Sequence, residues 1–261
     1  MEKACYSSHF KKGIISISID DGNTEDFRLY EGVLLKYNLS ATFNIISNLI
    51  DGETNLSKEQ LKTIYNNPSM EIAAHGFSHK NDDEDILKGV SELRCKVGIT
   101  EKLIGFASPE SRMKNYFIEE NQEHLKSLGL LYIRTAGNSG ANNRHLEIQD
   151  RLKLAGESDY IIRNIPQLIY SFNSLCVNSV VVYNHTSLLD LKKLVDIAED
   201  ERACIVFMFH KTKKKDEFGH DDLWSYDLDK FEEFAQYLDK KRNEGTIDVL
   251  TTRQAFLSSF I

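Results

Sequence analysis

Eight short, nearly continuous apolar runs punctuate this chain, and a longer amphipathic stretch separates most neighbouring pairs. The runs cover residues 13–19, 40–46, 70–74, 103–107, 130–135, 179–183, 204–209 and 247–250. Strands buried on both faces of a parallel sheet read as continuous runs, not as an apolar/polar alternation. The intervening stretches carry helical spacing. Residues 24–37 place Phe27, Tyr30, Leu34 and Leu35 on one stripe, and Ser57 with Gln60 makes a capping box that opens a helix through Tyr65. Residues 85–97, 115–128, 159–174, 188–200 and 227–242 repeat the pattern. Strand followed by helix, about eight times over, predicts an α/β fold whose βα units close into a barrel of seven or eight parallel strands. The length of 261 residues with only three prolines and no Pro/Gly/Ser-rich linker predicts a single domain over residues 1–261.

A net charge of -8 argues against a nucleic-acid partner, which needs a basic surface to displace counterions from phosphates. The basic run at 211–215 is offset at once by Asp216 and Glu217 and reads as a solvated loop. Cys5, Cys95, Cys176 and Cys204 lie far apart without CxxC spacing, so they read as reduced, mostly buried thiols. Residues 1–12 are polar, and no apolar run reaches membrane-spanning length. The expectation is a cytoplasmic protein with no membrane span.

Barrels of this kind carry their chemistry at the C-terminal ends of the strands. The first run ends in Asp20-Asp21-Gly22, the third in His75-Gly76-Phe77-Ser78-His79, and the fourth leads into Ser108-Pro109-Glu110. The fifth carries Arg134, the sixth ends near Asn184-His185, and the seventh ends in His210. Asp21, His75 and His79 offer one carboxylate and two imidazoles, a set that suits a divalent ion such as zinc and leaves positions open for water and substrate. The His75/His79 spacing alone also fits two unrelated polar residues on a turn. Adjacent acids at a buried strand end repel each other unless a cation compensates. Because strand neighbours point to opposite sides, both can face one ion only through a backbone twist, which Gly22 permits. Asp-Asp-Gly is equally an ordinary acidic turn.

Four segments together resemble the polysaccharide deacetylase (NodB homology) family. Ser18-Ile19-Asp20-Asp21-Gly22 is similar to its Thr-Phe-Asp-Asp-Gly motif, and Ser40-Ala41-Thr42-Phe43 to the Ala-Thr-Phe-Phe strand that follows. Ala74-His75-Gly76-Phe77-Ser78-His79 is similar to its metal-binding motif, and Phe207-Met208-Phe209-His210 to its last, an apolar strand ending in histidine. They occur in the family's order between residues 13 and 255. The resemblance implies a distorted (β/α) barrel and metal-dependent hydrolysis of an N-acetyl group on an amino-sugar substrate. It implies Asp20 as general base, Asp21, His75 and His79 as ligands of a divalent metal, and His210 as general acid. It also implies an oxyanion donor at a backbone N–H near Glu110.

The third motif departs from the family: Ala107-Ser108-Pro109-Glu110 stands where Arg-Pro-Pro-Tyr is usual. The arginine that orients the base is missing there, and Arg134 is the expected replacement, since an arginine at a barrel mouth needs an anion. Pro109 and Glu110 are expected to line the substrate site, and Trp224 to offer an aromatic face to a sugar. A core or loop role fits Trp224 equally well, and a structural role is expected for His185. The family's Asp-Trp element is not evident, leaving His210 without an identified partner. Two other readings stay open. One is a metal amidase acting on a small non-sugar amide or a lipid-linked sugar. The other is a non-catalytic carbohydrate-binding protein on a deacetylase fold.

Overall fold

The computed structural model describes residues 10–137, 140–220 and 222–259. Seven parallel strands close into a barrel: β1 (Gly13–Asp21), β2 (Ala41–Ile45), β3 (Met70–Ala74), β4 (Ile104–Ala107), β5 (Leu130–Ala136), β6 (Cys176–Val181) and β7 (Cys204–Phe209). Strand β1 closes the ring by pairing Ile14–Ile19 with Cys204–Phe209 of β7. Its other edge is shared: Ser18–Asp21 pair with β2, and Gly13–Ile15 pair with a short strand near the C-terminus (Ile247–Val249). The eighth apolar run therefore extends the sheet and is not a stave of the barrel.

Helices wrap the outside. They are α1 (Glu25–Leu29), α2 (Lys58–Tyr65), α3 (Asp83–Val97), α4 (Asn115–Glu120), α5 (Gln122–Ser127), α6 (Asn143–Leu154), α7 (Asp159–Asn164), α8 (Leu188–Asp200), α9 (Leu228–Asn243) and α10 (Thr252–Ser258). The core lies between strand faces such as Ile15, Ile17 and Ile19 and the helices' apolar stripes, including Leu191, Leu194, Phe231 and Phe234. The Ser57/Gln60 capping box is present at α2. No helix among the described residues is long and apolar enough to cross a membrane.

Four local expectations are corrected. The first helix gives way after Leu29 to a π-helical turn, with Leu35 N–H bonded to the Tyr30 carbonyl at 3.0 Å. The helix expected over 159–174 stops at Asn164, because Pro166 cannot continue the ladder. Beyond it, Ile169 and Cys204 exchange backbone hydrogen bonds of 2.9 and 2.7 Å. The sixth strand runs from Cys176 to Val181, which leaves Asn184 and His185 in a turn closed by the Thr186 hydroxyl on Tyr183 N–H at 3.0 Å. The basic run is not a loop: β8 (Lys211–Lys213) pairs with β9 (Ser225–Asp227) in a two-stranded parallel ribbon. Of the cysteines, Cys204 is buried but Cys95 is exposed; Cys5 and most of the polar N-terminus lie outside the described residues.

The barrel interior is polar. Alternation along β1 turns Ser16, Ser18 and Asp20 inward, opposite Thr42 and Asn44 of β2. At the N-terminal end, Glu71 of β3 accepts hydrogen bonds from Thr42 and Tyr132 hydroxyls at 2.8 and 3.0 Å and from Arg253 N–H at 2.9 Å. Thr252 N–H donates to Thr42 Oγ1 at 2.8 Å. Free N–H groups of the first turn of α10 thus find acceptors inside the barrel, and this plugs its floor. Gly105 leaves the room that the Tyr132 ring occupies, since a Cβ there would lie 2.2 Å from its phenol end.

Candidate active site

At the opposite end, the C-terminal ends of β1, β3, β4, β5 and β7 surround a cleft of about 590 Å³. Asp20, Asp21, His75, His79, Glu110, His210 and Trp224 line it. Pro109 is buried and faces an adjoining cleft of about 570 Å³, joined to the first through His79 and Glu110.

Both acids of the Asp20-Asp21 pair reach this cleft because the strand ends in a left-handed residue. Asp21 itself has φ +80°, followed by Gly22 at +72°. The twist expected at Gly22 therefore begins one residue earlier. Asp20 is buried, and its Oδ1 and Oδ2 each lie 2.5 Å from Arg134 Nη2. Arg134, also buried, reaches Asp20 from β5, directly beside Ala107 of β4 in the strand register, and its Nη1 touches Met208 Sδ. Burial pushes the Asp20 carboxyl up. The charges of Arg134, His75 and His210 and the Arg134 hydrogen bond outweigh it and hold the group at about 2.

His75 Nδ1 lies 2.8 Å from the Ala107 carbonyl, which can only accept, so Nδ1 carries the hydrogen. In the neutral ring Nε2 then presents a lone pair, 3.5 Å from Asp21 Oδ1 and 3.9 Å from Asp20 Oδ2. The His79 ring packs edge-on at 4.7 Å from that of His75. The ligand atoms of Asp21, His75 and His79 all lie within 4.8 Å of one another. Ligand atoms around a tetrahedral zinc stand about 3.4 Å apart, as its bond lengths require. A lone pair facing two carboxylates is repulsive without a cation, so the donor set and its spacing fit a divalent metal. Burial, then the neighbouring His75, lowers the His79 pKa and favours the neutral, ligating form.

The loop between β3 and α3 that carries His79 (φ +63°) is held by a single carboxylate that sequence reasoning passed over. Asp85 accepts N–H groups from Phe77 at 2.8 Å, Ser78 at 2.9 Å and Lys80 at 3.1 Å, and the Ser78 hydroxyl at 2.6 Å. Its signal was a run of acids at a helix start, which reads as capping alone. Gly76 (φ +79°) lies against it: a Cβ there would come within 2.6 Å of Asp85 Oδ2.

His210 Nε2 is 4.0 Å from Asp20 Oδ2, and the Trp224 ring lies 4.4 Å from the imidazole. The β8–β9 ribbon brings Trp224 there. The indole is 44% exposed, so it offers a face to the cleft. His210 Nδ1 is buried with no hydrogen-bond partner among the described residues, and burial lowers the ring's pKa. Glu110 and Ser111 are both left-handed at φ +51°, which presents their turn to the cleft; Glu110 pairs with Arg112 at 2.5 Å. His185 stacks on Tyr183 and is not among the residues that line the cleft.

At the C-terminal mouth of a parallel barrel, this carboxylate–imidazole cradle offers a set of ligand atoms close enough to share one cation. The sequence pattern of the polysaccharide deacetylase family matches residues 7–130. None of the curated proteins compared with the chain matches it. A Mycobacterium smegmatis protein described as a candidate polysaccharide deacetylase shares the fold, at 12% identity over 95% of this chain and 91% of that one, with a TM-score of 0.56. A polysaccharide deacetylase from Bacillus cereus matches at 16% identity over 47% of this chain and only 40% of its own length, with a TM-score of 0.39. A family 4 acetyl xylan esterase from Clostridium thermocellum, solved with a cobalt ion, matches at 14% identity over 93% and 90%, with a TM-score of 0.45. The chain resembles the polysaccharide deacetylase family, in sequence over its first half and in fold over nearly all of it.

Proposed function

We propose that this protein removes acetyl groups from a carbohydrate, hydrolysing the N-acetyl group of an amino-sugar unit with a divalent metal, zinc by the chemistry of its donors. The observation that carries the reading is the convergence of Asp21, His75 and His79 beside a buried, arginine-paired Asp20. When bound, a divalent cation supplies polarisation of the acyl carbonyl and acidification of water. Asp20 Oδ2 takes the proton of the attacking water. Its low pKa keeps it ionised at neutral pH, and the acidification of the water by the cation would offset its weakness as a base. A backbone N–H near Glu110, which lines the cleft, serves as the oxyanion donor in this reading. Burial lowers the His210 pKa, so the ring acts as general acid only after it gains a proton; the one Asp20 takes from the water, 4.0 Å away at Oδ2, can charge it, and Nε2 then delivers a proton to the leaving nitrogen as the carbon–nitrogen bond breaks. The products are acetate and a free amine. Trp224 supplies a stacking face, and the adjoining cleft behind Pro109 and Glu110 gives room for further units of a sugar chain. Every polar position the chemistry needs is filled by a competent residue, which favours an enzyme over a binding protein on a decayed fold.

Elemental analysis of the purified protein, with acetate release from chitooligosaccharides and nucleotide-linked N-acetylhexosamine, tests the reading. One equivalent of metal and acetate from either substrate are expected, and His79→Ala is expected to lose both. A protein that binds no metal and releases no acetate from either substrate overturns it.

A further inference from the structure

We infer that Asn44 is a positioning residue that fixes which oxygen of Asp20 accepts the proton; the inference rests on the deacetylase reading above. Asn44 sits on β2 directly beside Asp20 in the strand register. It occupies the place of the last phenylalanine in the Ala-Thr-Phe-Phe pattern that Ala41-Thr42-Phe43 otherwise resembles. Fully buried, it donates from Nδ2 to Asp20 Oδ1 at 2.8 Å and reaches Ser18 Oγ at 2.8 Å. The amide cannot be turned over, because its oxygen would then face the Asp20 carboxylate.

The orientation has a cost. Asn44 Oδ1 is buried with no partner among the described residues, so the amide is held in place at the expense of one unsatisfied oxygen. What the amide achieves is asymmetry at Asp20. Oδ1 receives both Asn44 and Arg134, while Oδ2 has Arg134 alone and faces His75 at 3.9 Å and His210 at 4.0 Å. Oδ2 therefore has the lone pair free on the cleft side, and the carboxylate cannot rotate to exchange its oxygens without breaking the Asn44 bond. A base held within a few tenths of an ångström of its water is the condition for efficient proton transfer.

The test replaces Asn44→Leu, which removes the donor and the unpartnered oxygen together on the same branched heavy-atom skeleton. Expected are unchanged metal stoichiometry, cooperative unfolding well above the assay temperature, and a kcat lower by about 10- to 100-fold with KM unchanged, the usual size of a supporting hydrogen bond in a metal site. Asn44→Ser serves if the leucine variant does not fold. Full kcat in the variant overturns the inference, and so does a kcat loss that tracks lost metal or lost stability. A crystal structure of the variant reads the carboxylate directly and separates this inference from the deacetylase reading. A rotated Asp20 supports the positioning role even if no acetate is released by the parent protein; an unmoved Asp20 refutes it.

Discussion

Replacing Arg134→Met probes the most deeply buried charge pair among the described residues. The two side chains are 1% and 3% exposed, and methionine matches the arginine stem while removing the guanidinium. Asp20 is held at about 2 against an ordinary 3.8. At about 1.4 kcal/mol per pH unit, that net displacement contributes about 2–3 kcal/mol of stability at neutral pH. Burial opposes the shift, so the arginine offsets more than the net figure. Removing one partner of a buried pair costs about 3–5 kcal/mol. The sign follows from the direction. A depressed carboxyl stabilises the fold above its unfolded value and loses that contribution as pH falls from 3.8 through about 2. In the variant, burial without the guanidinium raises the Asp20 pKa, so the fold regains stability as acid protonates it. Urea unfolding with a chelator present, so that no cation substitutes for the guanidinium, should show a deficit of about 3–5 kcal/mol at pH 7 that narrows toward pH 4. Turnover should fall and its acidic limb move to higher pH, with metal binding retained. A deficit below about 1 kcal/mol, or one independent of pH, refutes the reasoning.

Two further substitutions test how the barrel supports its mouth. Burial raises the Glu71 pKa despite three hydrogen-bond donors, so its ionised form costs stability that is recovered below its folded pKa; Glu71→Gln should therefore compare better with the parent in melting temperature at pH 7.5 than at pH 4. Gly76→Ala forces a side chain into φ +79° and against Asp85, so it should cost at least about 2 kcal/mol by chemical denaturation and weaken metal binding through the His79 loop.

The barrel was legible because its strands are buried on both faces. Seven apolar runs correspond to the seven staves, with ends displaced by up to three residues. The eighth extends one edge of β1, a distinction that depends on where β2 begins to pair and leaves no trace in composition. The β8–β9 ribbon was hidden for another reason. Lys211–Lys213 has one buried residue, Thr212, and its partner strand has Ser225 and Tyr226, too few for any period to show. The site residues were visible as ionisable groups at strand ends. Of the residues that aim them, Arg134 was visible too, but Asn44 and Asp85 were not. Asn44 lies inside an apolar run, and Asp85 lies among acids whose ordinary role is capping. Both act through contacts that only the closed barrel creates.

These supports imply an order of assembly. Asp20 is fixed by Arg134 and Asn44, His75 by the Ala107 carbonyl, and the His79 loop by Asp85. Each uses groups of the protein itself, so folding alone brings three of the four polar side chains to the cleft in position. Asp21 differs. Burial pushes its carboxyl up, and the pull that lowers it comes first from His75 Nε2, 3.5 Å away on an imidazole whose other nitrogen is already committed to Ala107. If that imidazole is neutral, Asp21 meets a lone pair; if it is protonated, the ring cannot ligate. A divalent cation between the two satisfies both groups at once, with little further loss of side-chain freedom.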